Sequence, residues 1–234
     1  AESAAATSRN WRLHRDILEK YSHLPWCLTS DQIYSKMVPL VFKHITTHRV
    51  LPVQLAAART ICVFMRYNRK LEQRQDMCGR LIDVCCRSKN HRYRKLFIDV
   101  CRFALELFSK SFFKENFYNY VIQLAHDPVP NVRLKFCSLL PTLKTQFKLP
   151  KDLQLLQQLE TIVRQRLTTE NDQDVVKAIR SAVLELDKIQ MCVGKLTSKR
   201  QEEDDLLDQK KEEDEQLLLE MERREHEEAE SKAG

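Results

Sequence analysis

Apolar residues recur at i, i+3, i+4 and i+7 along most of the first 188 positions, and no stretch alternates with period two. Between Asp31 and His48, for instance, Ile33, Met37, Val38, Val41, Phe42 and Ile45 share one face of a 3.6-residue spiral. Turn residues cut this pattern into short helices. One runs from about Asn10 to Leu24 and stops at Pro25. The next runs from about Asp31 to His48, with Thr29, Ser30 and Asp31 as N-cap candidates. Further helices end near Tyr67, span Leu71 to Arg87, Arg92 to Phe108 and Phe112 to Ala125, and follow the turn His126–Asn131 as far as Phe147. Two more are predicted, from Leu149–Asp152 to Leu167 and from Val175 onward, the last free to continue unbroken into the C-terminal tail. The predicted class is all-α.

The helices come in pairs, and the second of each pair opens alike. An apolar residue is followed by a polar, usually basic one: Trp11–Arg12, Val53–Gln54, Tyr93–Arg94, Val132–Arg133 and Val176–Lys177. The second members are 42, 40, 39 and 44 residues apart. Helical periods of roughly 40–47 residues belong to HEAT and armadillo arrays. One pair cannot bury its apolar face, so neighbouring pairs stack and share a core. The reading is a right-handed α-solenoid of about four and a half HEAT-like repeats over residues 9–190, between a disordered lead-in (1–8) and a charged helical tail (191–234). The chain opens directly on a second-type helix, which predicts further repeats upstream.

A basic residue near a helix N-terminus opposes the local dipole. Its recurrence calls for an acidic partner. An inter-repeat ladder to a turn acid such as Asp127, or Asp172 and Asp174, is one reading; direct contact with a ligand is the other. Pro39 predicts a kink in its helix. Gly79, in mid-helix, predicts the close approach of a neighbouring helix.

Composition narrows the function. Only three glycines occur in 234 residues, where average usage gives roughly 16; there is no glycine-rich phosphate loop. No apolar run approaches the ~20 residues that span a bilayer, so no membrane role is expected, and a cytoplasmic location is. The eight cysteines form no CxxC pair and fall in apolar stripes; they read as small buried hydrophobes in a reducing compartment. His44 and His48 have the i, i+4 spacing of a metal-ligating pair, but no HExxH pattern surrounds them; they read as a surface pair. Cys85 and Cys86 with His91 do not form a credible dyad. No catalytic residue, cofactor site or metal site is predicted.

From Lys199 to Gly234 the chain carries seven basic and fifteen acidic residues, a net −8 against +6 for the whole, which leaves +14 on residues 1–198. The basic body has two clusters, Arg66–Lys70 and Arg87–Lys95. Both are short, and neither matches a nucleic-acid reader motif; a solvated face or a site for an acidic protein is the better reading. In the tail, the leucine clusters at Leu206–Leu207 and Leu217–Leu219 are too widely separated to sustain a heptad. The tail is expected to be a solvent-exposed helix, with short self-pairing or screening of the basic body as further options.

Three stretches carry a family resemblance: Asn10–Pro25 (NWRLHRDILEKYSHLP), His126–Leu143 (HDPVPNVRLKFCSLLPTL) and Asn171–Leu186 (NDQDVVKAIRSAVLEL). In that order and spacing they resemble the HEAT-repeat scaffold and regulatory subunits of protein phosphatases 2A and 4, over about residues 9–188. The charged tail and Gln54, at a usually basic position, depart from the 2A scaffold and resemble the phosphatase 4 branch, whose repeats precede a coiled coil. The resemblance implies a non-enzymatic subunit that holds a serine/threonine phosphatase catalytic subunit, phosphatase 4 rather than 2A, on the loop ridge between paired helices. The matching ridge holds Trp11, Arg12, Arg92, Arg94, Asn131, Arg133 and Lys177. A generic HEAT adaptor and a basic nucleic-acid-binding solenoid are the alternatives.

Overall fold

The computed structural model describes residues 10–189 and 199–233; the lead-in 1–8 and the start of the tail lie outside them. Among the described residues there are helices and no strands. In chain order they are α1 (Trp11–Tyr21), α2 (30–47), α3 (Leu51–Tyr67), α4 (71–86), α5 (His91–Leu107), α6 (110–126), α7 (Pro130–Cys137), α8 (Leu140–Lys144), α9 (Leu153–Thr169), α10 (Gln173–Lys188) and α11 (Lys199–Ala233). Their order and approximate bounds follow the succession of helices read from the sequence, α1 first.

Short polar residues start the helices where the sequence offers them. Asn10 accepts the amides of Arg12 and Leu13 at the head of α1. Thr29 and Gln32 form a reciprocal capping box on α2. Ser109 accepts the Phe112 amide, so α6 begins at Lys110, two residues before the expected start. Asp172 accepts the amides of Asp174 and Val175 on α10.

Three expectations change. The helix expected to reach Phe147 breaks at Ser138–Leu139, because Pro141 lacks an amide hydrogen and is tolerated only in the first turn of a new helix, α8. The last body helix does not run on toward the tail: Ile189 takes extended dihedrals and ends α10. Gly79 has no close neighbour, for a Cβ placed there meets nothing within 4 Å.

Where Pro39 predicts a kink, the helix has a π-turn. Residues Ile33–Met37 are π-helical, and the Val38 amide reaches back five residues to the Ile33 carbonyl. The same device recurs at Ile82–Cys86 in α4 and Lys114–Tyr118 in α6, neither of which contains proline. The first helices of three repeats thus share a π-turn, with or without a proline.

The chain divides into two compact units. The first holds the described residues to Val84, 103–108 and those from Lys211 on. Here α3 packs against both α1 and α2, burying Leu18, Val41, Ile45, Ile61, Phe64 and Met65. The Thr60 hydroxyl, fully enclosed, donates to the Ala56 or Leu18 carbonyl, each 2.8 Å away. The second unit holds 85–102 and the described residues from Ser109 to Lys210. Its α10 packs on α7, α8 and α9, and Phe97, Phe113 and Phe117 fill the centre. Buried Tyr118 donates its hydroxyl to the Leu155 carbonyl at 3.0 Å, which satisfies the polar end of a large core side chain.

Candidate functional site

In the second unit the within-repeat turns hold the basic residues singled out by the repeat. Arg94, in the first turns of α5, clasps both carboxylate oxygens of Asp127, with Nη2 2.9 Å from Oδ1. Its Nη1 donates to the Ser88 and Lys89 carbonyls at 2.9 and 3.0 Å. Arg133, at the same position of α7, clasps Glu170 with two contacts of 2.7 Å. Its Nη1 donates to the Asp127 carbonyl at 2.7 Å. Each arginine therefore ties the turn before it to the carboxylate of the turn after it, and Asp127 serves both.

The carboxylates are held in turn. Asp127 accepts the Val129 amide at 2.9 Å, and Glu170 accepts those of Asn171 and Asp172 at 3.1 Å. The Arg133 hydrogen bond holds the Glu170 carboxyl below its usual range, against the opposing effect of burial and with help from the two amides. Hydrogen bonding to Asp127 raises Arg94. The Glu170 side chain is 1% exposed and that of Arg133 13%, so these charges are turned inward. The ladder reading holds at Asp127. The second rung uses Glu170, not Asp172 or Asp174. Asp172 is occupied as a helix cap, and Asp174 is exposed, 3.7 Å from Lys177 on its own helix.

The other candidate residues face solvent. In the second unit Arg92, Asn131 and Lys177 are exposed. In the first unit Arg12 is exposed and lies over the half-buried Trp11 ring, 4.5 Å from its centroid. Gln54, the non-basic member, donates to the Ile45 carbonyl at 3.0 Å and ties α3 to the end of α2.

In each unit the acidic helix α11 meets residues at or beside the turns that join one helix pair to the next. In the first unit Arg69 pairs with Glu225 at 2.8 Å and Lys70 with Glu222 at 3.3 Å. Buried Arg66 lies 3.9 Å from Glu215 and donates to the Leu107 carbonyl at 3.0 Å. In the second unit Asp208 accepts the Lys110 amide at 2.7 Å, at the start of α6, and pairs with Lys148 at 2.8 Å. A carboxylate is well placed at that partly positive helix end. The expected solvent-exposed tail is therefore corrected: α11 lies on the body, which buries its Asp208 and Glu215, while Leu206, Leu207 and Leu217 stay exposed. Its docked face is charged rather than apolar, so hydrophobic periodicity gave no sign of it. The −8/+14 split did.

No reactive thiol is present among the described cysteines adjoining these turns. Burial pushes the Cys85 thiol up to about 12 and Cys86 to about 11, well away from a nucleophilic range. The histidines differ from expectation. His44 and His48 are half-buried, and buried His14 from α1 joins them. Their ring centroids are 4.7, 5.1 and 6.0 Å apart. Burial first, and repulsion from the neighbouring histidines next, lower His44 and His48. Sequence reasoning missed His14 because it lies 30 residues upstream, on another helix.

No helix among the described residues is long and apolar enough to cross a membrane. No protein-family model matches the chain. Over 202 residues, 86% of its length, the chain is 48% identical to the serine/threonine-protein phosphatase 4 regulatory subunit 4 of Mus musculus, and equally to that of Homo sapiens. It spans 23% of the length of these relatives. The family resemblance read from the three repeat stretches thus points to the same regulatory subunits.

Proposed function

We propose that this chain is a segment of a non-catalytic phosphatase 4 regulatory subunit, and that its within-repeat turns hold the catalytic subunit, in the cytoplasm. The likeness to two such subunits over 86% of the chain carries the reading. The ladder geometry narrows the contact set. Arg94 and Arg133 position the turns, and the groups open to a partner are Trp11 and Arg12 in the first unit and Arg92, Asn131 and Lys177 in the second. An exposed arginine over an aromatic ring is a common anchor at protein interfaces. Phosphate binding by the basic body is the poorer reading, since α11 carboxylates engage Arg69, Lys70 and Lys148 and Asp127 engages Arg94.

The test is capture of purified phosphatase 4 and 2A catalytic subunits by the chain and by its Trp11→Ala/Arg12→Ala variant. Selective capture of the phosphatase 4 subunit, weakened about tenfold or more by the variant, is the expected result. Equal capture by both proteins moves the contact off α1. No capture by the folded chain overturns the reading.

A further inference from the structure

We propose that His14, His44 and His48 form a three-histidine site for a transition-metal dication, zinc foremost, that fastens α1 to α2 in the first unit. One donor atom from each ring already lies within 4.8 Å of the other two. Zinc binds imidazole nitrogen at roughly 2.0–2.1 Å in a tetrahedral array, which sets three ring centroids about 5 Å apart. The observed separations of 4.7, 5.1 and 6.0 Å bracket that value. The His44 and His48 rings are now within 22° of parallel. They need to turn about their terminal torsion, which is soft in histidine, to aim both lone pairs at one point.

The surroundings suit the ion. His14 is 5% exposed, so one ligand is fixed by packing. Nδ1 of His44 is buried without a hydrogen-bond partner, a group that otherwise costs free energy. His44 is the last charged-type residue of α2 and His48 its C-cap, so the helix end sits beside the site and favours a cation. A set of nitrogen donors alone fits zinc, copper or nickel rather than calcium or magnesium. A water completes four-coordination.

The experiment is titration of the 234-residue chain with Co2+ and Zn2+. The expected result is one equivalent of Co2+ with the intense visible bands of a four-coordinate ion, displaced by Zn2+. At a roughly hundredfold excess over Kd, Zn2+ should raise Tm by about 5 °C or more. His48→Ala should abolish the bands while circular dichroism stays unchanged, and His23→Ala, an exposed histidine, should leave them intact. His44→Gln provides a second ligand loss should His48→Ala alter the fold. Bands that persist in both ligand variants, or no saturable binding by the folded chain, overturn the proposal.

Discussion

Arg133 and Lys177 hold the same position in successive repeats, and the structure uses them in opposite ways. Arg133 is turned inward on Glu170 from the following turn, while the Lys177 side chain is 75% exposed and meets only Asp174 of its own helix. Arg94 behaves like Arg133, and Arg12 like Lys177. Among the three arginines the difference lies in the turn that follows. Asp127 follows Arg94 and Glu170 follows Arg133, whereas the turn after Arg12, Arg49–Pro52, contains no acid. A repeated arginine is therefore a rung where the next turn offers a carboxylate, and a free contact where it does not.

The largest expected effect breaks one rung. Glu170→Ala leaves the half-buried Arg133 with only the Asp127 carbonyl and should cost about 2 kcal/mol in urea unfolding. Asp174→Ala, at the open position, should stay within about 0.5 kcal/mol. Equal losses from the two would remove the distinction. The same rung has a pH signature. Because the folded-state pKa of Glu170 lies below the ordinary glutamate value, its contribution is present above about pH 4.3. It is lost as pH falls through the lowered folded value. The stability gap between the chain and Glu170→Gln should therefore be constant from neutral pH down to about 5 and close in more acid solution.

A change away from either edge sets the scale for these losses. Gly79→Ala meets open space in a helix interior and should stabilise the chain by about 1 kcal/mol. The smallest effect belongs to the tail contacts. Glu222→Gln with Glu225→Gln removes two half-open pairs from the first unit and should cost no more than about 0.5 kcal/mol, the loss vanishing in high salt. A loss as large as that of Glu170→Ala would show the two edges to be built alike.

The helix pairs were legible because burial imposes a 3.6-residue period that a single sequence displays, and because caps and turns are spelled in Asn10, Thr29 and Asp172. The rung at Asp127 was legible from its place in the HDPVPN turn. Glu170 was not singled out, since its turn also offers Asp172 and Asp174 and their order in the sequence does not say which carboxylate is turned inward. The docking of α11 was legible only from the charge split; its docked carboxylates Asp208, Glu215 and Glu222 recur every seven residues but are hidden among acids on the other faces. The π-turns of α4 and α6 were illegible for another reason: one extra residue in a helical turn changes hydrogen-bond register without changing composition.

Six of the seven described cysteines are buried, and Cys27 alone among them is exposed. Burial pushes Cys78 up to about 12 and Cys137 to about 11, so an alkylating reagent reacts with them only when the surrounding helices part. Cys78 lies in the first unit and Cys137 in the second. Their labelling rates, compared with that of Cys27, make the thiols resident clocks that time the opening of each unit separately.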